Sequence, residues 1–411
     1  MEKFTVAVYG YGGRGKIYAD NFQILGIPVS AVCDISQKRL EIAQKQYSCE
    51  TYLDGESFFT QKRADVLIIA TLDDGHYEPC IRALRMGYDV ILEKPISMIQ
   101  EECEGIKKVA DETGRSVTVC HVLRYAPFYK TVKKLLDSKE FGEIIHINLT
   151  EGVGYYHFAH SFVRGPWRNK KISAPVILAK SCHDMDILTW LVGKKCLSVN
   201  SYGNLSFFRQ DRAPLGSTKH CVDCPHKESC EYSCFKIYLN EEYEKLAGLA
   251  RHGRLGDSRE QIVDSLSCLE NLYGRCVFAC DNDVFDHQAV NMQFEDGIIG
   301  QFTLTAFTQK IGRTLHIYCE KGEIYGDAEA KKVCYKLFGN QQENYVECSY
   351  ENEIYASHGG GDMGLVREFS ENYKQAEMLS DIHVSMQSHE MGFAAEESAT
   401  QDGKLVKLMK E

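Results

Sequence analysis

The sequence predicts an α/β protein: an N-terminal doubly wound parallel sheet, then a C-terminal α/β domain with a large, mostly antiparallel, open sheet. In the first part, short apolar runs rich in β-branched residues alternate with helical segments, which is the order of repeated βαβ units. In the second part, strand-like segments follow one another and are separated by turn pairs such as Asp-Gly at 296–297. We place the domains at 1–122 and 123–411, with a cysteine-rich insert at about 209–265.

Composition excludes several classes of protein. The 411 residues include 47 Lys and Arg against 58 Asp and Glu, for a net charge of -11, which disfavours a nucleic-acid partner. The apolar runs are too short to span a bilayer, and the first residues lead into a glycine loop rather than an apolar leader. We therefore expect a cytoplasmic protein without a membrane partner, whose 17 cysteines are thiols rather than a disulfide framework.

The strands and helices of the N-terminal parallel sheet are predicted from alternating apolar and helical segments. The predicted strands are 4–9, 28–33, 64–70, 89–92 and 116–120, and helices are predicted at 17–25, 79–86 and 101–113. Ligands of such sheets bind at the carboxyl ends of the strands. Thr71, His76, Glu93 and Lys94 fall there, so we predict that they face a bound ligand.

A glycine-rich loop follows the first strand and fits the pattern G-x-G-x-x-G. Gly10 permits the tight turn, Gly12 lets the backbone approach a pyrophosphate, and Gly15 permits close helix–strand packing. The helix that begins here offers free N–H groups and the positive end of its dipole to phosphate. Its predicted dinucleotide-binding residues are Gly10, Gly12, Gly13, Arg14 and Gly15.

Asp34 ends the second strand, nineteen residues after Gly15. A carboxylate at this position accepts hydrogen bonds from the adenosine ribose and repels a 2′-phosphate, so NAD is favoured over NADP. Lys38 and Arg39 lie just beyond and weaken that preference. The expected cofactor is therefore NAD, with NADP as the less favoured alternative.

Lys94 invites a functional interpretation from its position alone. It follows a buried strand and precedes a proline, so its amine could be held near a reacting hydroxyl as a general base. Pairing with the neighbouring Glu93 is the alternative. In the second half, His183 lies near the start of an amphipathic helix and could face a cleft, although it could equally be a solvated or capping residue.

Aromatic, histidine and arginine side chains cluster at 155–168. Flat rings pack on sugar faces, and arginines bind hydroxyls or carboxylates, so this stretch indicates a carbohydrate site; a polar interface loop is the alternative. The predicted substrate residues are Tyr155, His157, Arg164, Trp167 and Arg168 from this stretch, together with Asp186 and His358.

Four cysteines of the polar insert have the spacing C-x2-C-x5-C-x3-C. They are Cys221, Cys224, Cys230 and Cys234. Four thiolates this close together suit a structural, tetrahedral zinc ion, with an iron–sulfur cluster or reduced free thiols as the alternatives.

Taken together, these motifs resemble the Gfo/Idh/MocA family of NAD(P)-dependent oxidoreductases over essentially the whole chain. The motifs are residues 10–15, Asp34, Glu-Lys-Pro at 93–95, Arg-Tyr-Ala-Pro at 124–127 and His-Asp-Met-Asp at 183–186. The strings at 162–168, 179–186 and 358–362 and the cysteine cluster resemble one bacterial subgroup. The resemblance implies a Rossmann domain, a cis peptide before Pro95, and a dimer or tetramer formed through the C-terminal sheet. It also implies that Lys94 and His183 face the nicotinamide and a sugar-like hydroxyl.

One position departs from the family pattern. Dehydrogenases of the family commonly have an aspartate four residues before the helix histidine, whereas this chain has Ala179 followed by Lys180. The usual lysine–aspartate–histidine relay is therefore incomplete. Lys180 is a candidate replacement in catalysis, which would suit a different base or an anionic substrate.

Three functions remain open on the sequence. The first is a dehydrogenase or ketoreductase acting on a sugar, glycoside or cyclitol. The second is an NAD-dependent glycosidase that oxidises C3 transiently, with a further base among Tyr155, His157, His160 and His358. The third is a cofactor-binding protein that has lost catalysis.

Overall fold

The N-terminal half forms the predicted parallel sheet. The computed structural model describes residues 4–243, 246, 258–349 and 357–408. The strands are β1 (Val6–Tyr9), β2 (Val29–Cys33), β3 (Glu50–Tyr52), β4 (Val66–Ile69), β5 (Asp89–Leu92) and β6 (Val117–Val119). Their order is β3-β2-β1-β4-β5-β6, with every pair parallel. The sequence analysis missed β3, which is only 3 residues long and partly exposed.

Six helices connect or follow these strands. They are α1 (Gly13–Ile24), α2 (Gln37–Tyr47), α3 (Gly55–Phe58), α4 (Tyr77–Arg85), α5 (Gln100–Thr113) and α6 (Pro127–Asp137). The central strands β4 and β5 are buried at every residue because helices cover both faces of the sheet.

The C-terminal half is built on a nine-stranded sheet. Its strands are β7 (Ile144–Gly152), β8 (Cys196–Asn204), β9 (His287–Phe294), β10 (Ile299–Thr305), β11 (Gly312–Cys319), β12 (Gly322–Asp327), β13 (Lys332–Leu337), β14 (Asn344–Glu347) and β15 (Val406–Lys407). The order is β14-β13-β12-β11-β7-β10-β9-β8-β15. Only the pair β10–β7 is parallel among these described strands, so the expectation of a mostly antiparallel sheet is confirmed.

Seven further helices belong to the second half as the structure describes it. They are α7 (Tyr155–Phe158), α8 (Val176–Ala179), α9 (Cys182–Val192), α10 (Cys234–Tyr238), α11 (Arg259–Ser267), α12 (Gly361–Asn372) and α13 (Ile382–Thr400). A π-helical segment, Ala159–Arg164, continues α7. Part of the predicted cysteine-rich insert, 244–245 and 247–257, lies outside the described residues.

The last two helices return to the N-terminal sheet. Phe369 of α12 packs edge-on against Phe4 with ring centroids 5.9 Å apart, and Ile382 of α13 is buried with Val117 and Val119. Full burial of one such side chain stabilises the folded state by about 1.5–3 kcal/mol. The boundary predicted after residue 122 therefore separates the two sheets, but the chain beyond it completes both cores.

No helix in the described part of the chain combines the length and the apolar character needed to cross a membrane.

His160 is one of several buried histidines with a lowered pKa. Its ring stacks on Tyr273 with centroids 4.6 Å apart, and Nδ1 lies 3.1 Å from the hydroxyl of Tyr238. Burial, with a smaller effect from Arg164, lowers the pKa of His160 to about 4. Between pH 4 and 6.5 the unfolded chain binds the proton more readily, so acid favours unfolding.

We expect His160→Gln to reduce the acid sensitivity of the fold. Between pH 7 and pH 5, the free energy of unfolding should fall by about 2 kcal/mol less in the variant than in the wild type. Urea denaturation at both pH values measures this difference. Burial raises the pKa values of Glu151 and Asp186, so these two groups change the free energy of unfolding with pH in the direction opposite to His160. Both proteins contain them, so their effect cancels in the comparison. Equal pH dependence in the two proteins would contradict the assignment.

Candidate active site

The glycine loop after β1 is shaped to hold a dinucleotide. Gly10 has φ +93, and a Cβ there would meet the carbonyl carbon of Ala70 at 2.7 Å. A Cβ on Gly15 would lie 2.1 Å from the carbonyl oxygen of Gly10, so both positions require glycine. Gly12 and Gly13 instead border open space at the N-terminus of α1. The loop therefore offers room and free N–H groups to a pyrophosphate, and it fits the expected cofactor.

Asp34 lies beside this loop at the end of β2. Its buried carboxylate accepts hydrogen bonds from the backbone N–H groups of Tyr11 and Ser36, both at 2.8 Å. Arg39 approaches the same carboxylate at 3.5 Å and is half-exposed. These hydrogen bonds thus fix the position of the Asp34 carboxylate relative to the glycine loop.

The turns after β4 and β5 are tied together at the same edge of the sheet. Thr71 Oγ1 donates to the carbonyl of Gly75 at 2.8 Å, and the buried ring of His76 places Nδ1 2.7 Å from the carbonyl oxygen of Pro95. The Lys94–Pro95 peptide is cis, as the family resemblance implied. These contacts fix the segment that carries Glu93 and Lys94.

Arg14 connects the glycine loop to two other parts of the chain. Its Nε donates to Glu93 at 2.6 Å, and its Nη2 donates to Asp362 of α12 at 2.6 Å and to the hydroxyl of Tyr18 at 2.5 Å. Although burial alone would raise the pKa of Asp362, His358 and Arg14 lower it well below its usual range. Both carboxylates are therefore buried in their charged form, with Arg14 as a shared partner.

A cavity of about 500 Å³ lies between the two sheets, within the range of small-molecule sites. Trp167 spans the gap between the halves, because its Nε1 donates to Asp73 at 3.2 Å. Six of the residues that the sequence singled out line this cavity: Arg14, Lys94, His157, Trp167, Lys180 and His358.

Lys94 lies in the wall of this cavity, and its charge acts on the buried ring of His183. Lys94 Nζ donates to the backbone carbonyl of Ala179 at 2.6 Å. His183 does not itself line the cavity. Its ring centroid lies 5.7 Å from that of His358, and His358 does line the cavity. Burial, assisted by the positive charge of Lys94, lowers the pKa of His183 well below its usual range. His183 is therefore a neutral imidazole at pH 7, and the described residues give its Nδ1 no hydrogen-bond partner.

A buried ion network forms the wall next to Lys180. Lys180 Nζ lies 3.1 Å from Glu151 Oε1, and Arg313 Nε lies 2.8 Å from Glu151 Oε2 and 2.7 Å from Asp184 Oδ1. Glu151 and Arg313 are direct cross-strand partners on β7 and β11. Tyr129 also lines the cavity. The sequence analysis did not identify Tyr129, Glu151 or Arg313.

Comparison with protein families accounts for almost all of the described chain. The Gfo/Idh/MocA model of an oxidoreductase family with an NAD-binding Rossmann fold matches residues 4–121. The model of that family's C-terminal alpha/beta domain matches residues 133–408. The chain belongs to the Gfo/Idh/MocA oxidoreductase family. Residues 4–121 are therefore an NAD-binding Rossmann domain, as the motifs indicated.

Individual relatives are distant. YteT of Bacillus subtilis, which carries the name of an oxidoreductase, is 24% identical over 365 residues, covering 83% of this chain and 81% of YteT. Inositol 2-dehydrogenase of Salmonella typhimurium is 26% identical over 201 residues, which is 47% of this chain and 56% of that enzyme. The chain thus spans only about half of that enzyme's length.

Solved structures share the whole fold. Levoglucosan dehydrogenase, solved with NADH and levoglucosan, superimposes with a TM-score of 0.72 at 15% identity, over 100% of both chains. An Agrobacterium radiobacter oxidoreductase, solved with NAD+, L-tartaric acid and magnesium, gives 0.72 at 13% identity over 99% of each chain. At this level of identity the likeness concerns the fold.

Four predicted substrate residues lie outside the wall of this cavity as the structure describes it: Tyr155, Arg164, Arg168 and Asp186. Arg164 is fully buried and donates to the carbonyls of Arg275 and Tyr232, both at 2.7 Å. Arg168 pairs with Asp281 at 2.8 Å.

Asp186 and Tyr155 are engaged in other contacts. Asp186 accepts two hydrogen bonds from Arg124, both at 2.7 Å. Tyr155 packs edge-on against Tyr156 and Tyr232. These side chains stabilise the walls around the cavity instead of lining it.

The metal prediction is not supported. Among the residues that the structure describes, no group of three or more His, Cys, Asp or Glu side chains is placed to hold a metal ion. Cys221 is instead engaged by Cys234, which hydrogen-bonds to it, and by Arg164, whose Nη2 lies 3.8 Å from Sγ. These two contacts lower the pKa of the Cys221 thiol to about 5. Neither zinc nor an iron–sulfur cluster fits the described cysteines, so we derive no function from a metal.

Replacement of Arg14 should destabilise the fold. Arg14→Met leaves the buried carboxylates of Glu93 and Asp362 without their shared partner, at a cost of about 3–5 kcal/mol. Arg39→Met is the matched control, because the half-exposed pair of Arg39 with Asp34 contributes about 0–1 kcal/mol. Urea denaturation of both variants tests this, and a loss of similar small size in both would contradict it.

Proposed function

We propose that the protein is an NAD-dependent dehydrogenase or ketoreductase that acts on a hydroxyl or keto group of a sugar or cyclitol. The observation that carries the proposal is the position of Lys94, whose amine is held at the carbonyl of Ala179 in the wall of the cavity. The glycine loop meets the same cavity through Arg14. Relatives with inositol and levoglucosan as substrates support the sugar-like class.

The cofactor, when bound, supplies the site that accepts or donates the hydride. The residues proposed to hold it are Gly10, Gly12, Gly13, Arg14, Gly15, Asp34, Thr71, His76 and Glu93. Lys94 faces the same ligand, but its proposed role is to move a proton and not to anchor the cofactor. What remains for the protein is to orient the substrate and to move one proton.

Lys94 is the proposed proton-transferring group, removing the hydroxyl proton on oxidation and returning it on reduction. The carbonyl of Ala179 fixes its amine at one place, the positioning role that a side-chain aspartate would otherwise perform. His183, a neutral imidazole, is the proposed second group for the hydroxyl, because it can both donate and accept a hydrogen bond. His157, Trp167 and His358 are the proposed substrate contacts in the wall.

Lys180 is assigned to substrate binding rather than to proton abstraction. Its ion pair with Glu151 stabilises the charged ammonium form, which carries donors but no acceptor. Lys94 Nζ donates to a neutral carbonyl instead, so its loss of a proton breaks no ion pair with a carboxylate.

The glycosidase alternative gains no support. None of the relatives and structures described above is a glycoside hydrolase, and of its four candidate bases Tyr155 and His160 lie outside the described cavity wall. The third alternative, loss of catalysis, is disfavoured by the arrangement of Lys94 and His183.

We also propose a homodimer or homotetramer formed through the C-terminal sheet. On β9 and β10, every second residue is exposed, so this sheet has one face available to another copy. Light scattering after size-exclusion chromatography would measure the mass. The cytoplasmic location stays a prediction.

Lys94→Met separates catalysis from cofactor binding. We expect turnover to fall by about 10²–10⁴-fold because a proton-transferring group is removed, while the affinity for NADH, measured by fluorescence titration, stays nearly unchanged. Lys133→Met is the matched control and should keep wild-type turnover, because Lys133 pairs with Asp137 on α6 and does not line the cavity. Loss of NADH binding together with turnover would make Lys94 a cofactor anchor and overturn its proposed role.

Turnover itself is measured with a panel of sugars, cyclitols and nitrophenyl glycosides. The proposed function predicts NADH formation in step with substrate loss, without release of nitrophenol. Nitrophenol released only in the presence of cofactor and without net NADH would overturn it in favour of the glycosidase.

Asp34→Asn tests the choice of cofactor. The amide keeps the shape of the carboxylate but not its charge, so the repulsion of a 2′-phosphate is lost. We expect the preference for NADH over NADPH to fall by about tenfold, since a charged hydrogen bond is worth about 1.5–3 kcal/mol. Titration with both cofactors measures it, and an unchanged ratio would mean that Asp34 does not select the cofactor.

A further inference from the structure

The cavity presents hydrogen-bond donors far more than acceptors. Among the residues that the structure describes, its charged lining consists of five basic side chains and one acidic side chain, namely Arg14, Lys94, Lys180, Arg313, Lys331 and Glu329. Ammonium and guanidinium groups donate hydrogen bonds and cannot accept them. A ligand that satisfies this wall must therefore be rich in acceptors.

The carboxylates that balance these bases lie behind the wall. Glu151 and Asp184 are fully buried and Asp362 is 1% exposed, and none of the three lines the cavity. The basic side chains thus border the cavity, while the acids that pair with Arg14, Lys180 and Arg313 do not. A neutral polyol suits such a wall poorly, because each hydroxyl must donate a hydrogen bond as well as accept one.

Lys180 and Arg313 form the place where an anion fits best. They approach opposite oxygens of the same carboxylate, Lys180 at Oε1 and Arg313 at Oε2 of Glu151, and both side chains also line the cavity. Within the described residues, Arg313 uses Nε and Nη2 for Asp184 and Glu151 and Nη1 for none. Lys180 has three N–H donors, only one of which a single ion pair requires.

We propose that the substrate is an acidic sugar, and that its carboxylate binds, from the cavity side, the donors of Lys180 and Arg313 that are not used for Glu151 and Asp184. This rests on the proposed function, because Lys94 marks the reacting end of the same cavity. Lys180 is the next residue after Ala179, whose carbonyl holds Lys94, and neighbouring Cα atoms are about 3.8 Å apart. The anion site and the reacting hydroxyl are therefore close enough to meet two groups of one monosaccharide, as in a uronate or an aldonate.

The test compares acids with neutral partners of the same shape. The probes are glucuronate and glucose, galacturonate and galactose, and gluconate and glucitol, each titrated calorimetrically into the protein with and without NADH. A carboxylate that gains a charged hydrogen bond should bind about 10–100-fold more tightly than its neutral partner. Binding is the readout, so the result does not depend on hydride transfer.

Three variants locate the effect. Lys180→Met should abolish most of the preference for acids, and it leaves Glu151 paired with Arg313, so folding is retained. Lys180→Arg keeps the charge and should keep most of the preference. Lys133→Met, outside the cavity, should behave as the wild type. Thermal unfolding of each variant verifies that the fold is intact.

Several results would overturn the inference. They are equal or tighter binding of the neutral partners, a preference for acids that survives in Lys180→Met, and binding of neither class up to 100 mM. Acids that bind as expected without any hydride transfer would leave the anion site standing and refute the proposed function. Turnover of neutral sugars that is unaffected by Lys180→Met would support the proposed function and refute the anion site.

Discussion

The ion pairs of Arg14 are the constraint on which the rest of the site depends. A single guanidinium joins the glycine loop, the end of β5 and the start of α12, because it pairs with Glu93 and Asp362 and both carboxylates are buried. Burying a carboxylate is costly unless it is paired, so none of these three segments can move without exposing or unpairing a charge. Lys94 follows Glu93 directly, and its backbone N–H also donates to the Glu93 carboxylate at 2.9 Å. The cofactor loop and the proposed proton-transferring lysine are therefore placed by the same interaction.

The second constraint is the return of the C-terminal helices to the Rossmann domain. The backbone N–H of Ile96 donates to Nε2 of His389 on α13 at 2.9 Å, and Val119 donates to the carbonyl of Ser380 at 2.8 Å. The segment just after Lys94 is thus held from the C-terminal half as well. A cavity between two sheets keeps its shape only if the sheets cannot slide, and these contacts prevent sliding directly beside the reacting end.

The Rossmann half could be predicted from sequence because its determinants are local. Fully buried parallel strands appear as continuous apolar runs, and a tight turn with φ +93 demands glycine at Gly10. The helix α13 was missed for the opposite reason. It is buried on several sides among small residues such as Ser385, Ser388 and Gly392, so it has no apolar stripe on one face. The short strands β13 and β14 at one end of the sheet are half-exposed and give an equally weak pattern.

Side-chain partners far apart in sequence explain why some predicted substrate residues do not line the cavity. Arg164 and Asp186 have the chemistry of substrate ligands, but both are hydrogen-bonded to other parts of the chain. Asp186 accepts from Arg124, and Arg164 donates to backbone carbonyls. Glu151 and Arg313 were missed because each lies near the end of its strand, β7 or β11, with no partner nearby in the sequence. Strand pairing alone brings them together.

Ala179, which stands where dehydrogenases of the family commonly have an aspartate, removes a negative charge from the cavity as well as a member of the lysine–aspartate–histidine relay. With alanine there, Lys94 is held by a neutral carbonyl, so no carboxylate stands between Lys94 and Lys180. A carboxylate at that point would repel an anionic ligand at close range, in a cavity where low polarisability strengthens charge interactions. Replacing a side-chain acceptor by a backbone acceptor keeps the lysine in position and removes that repulsion. The incomplete relay and the donor-rich wall can thus be explained together, as two consequences of accommodating negative charge beside the reacting carbon.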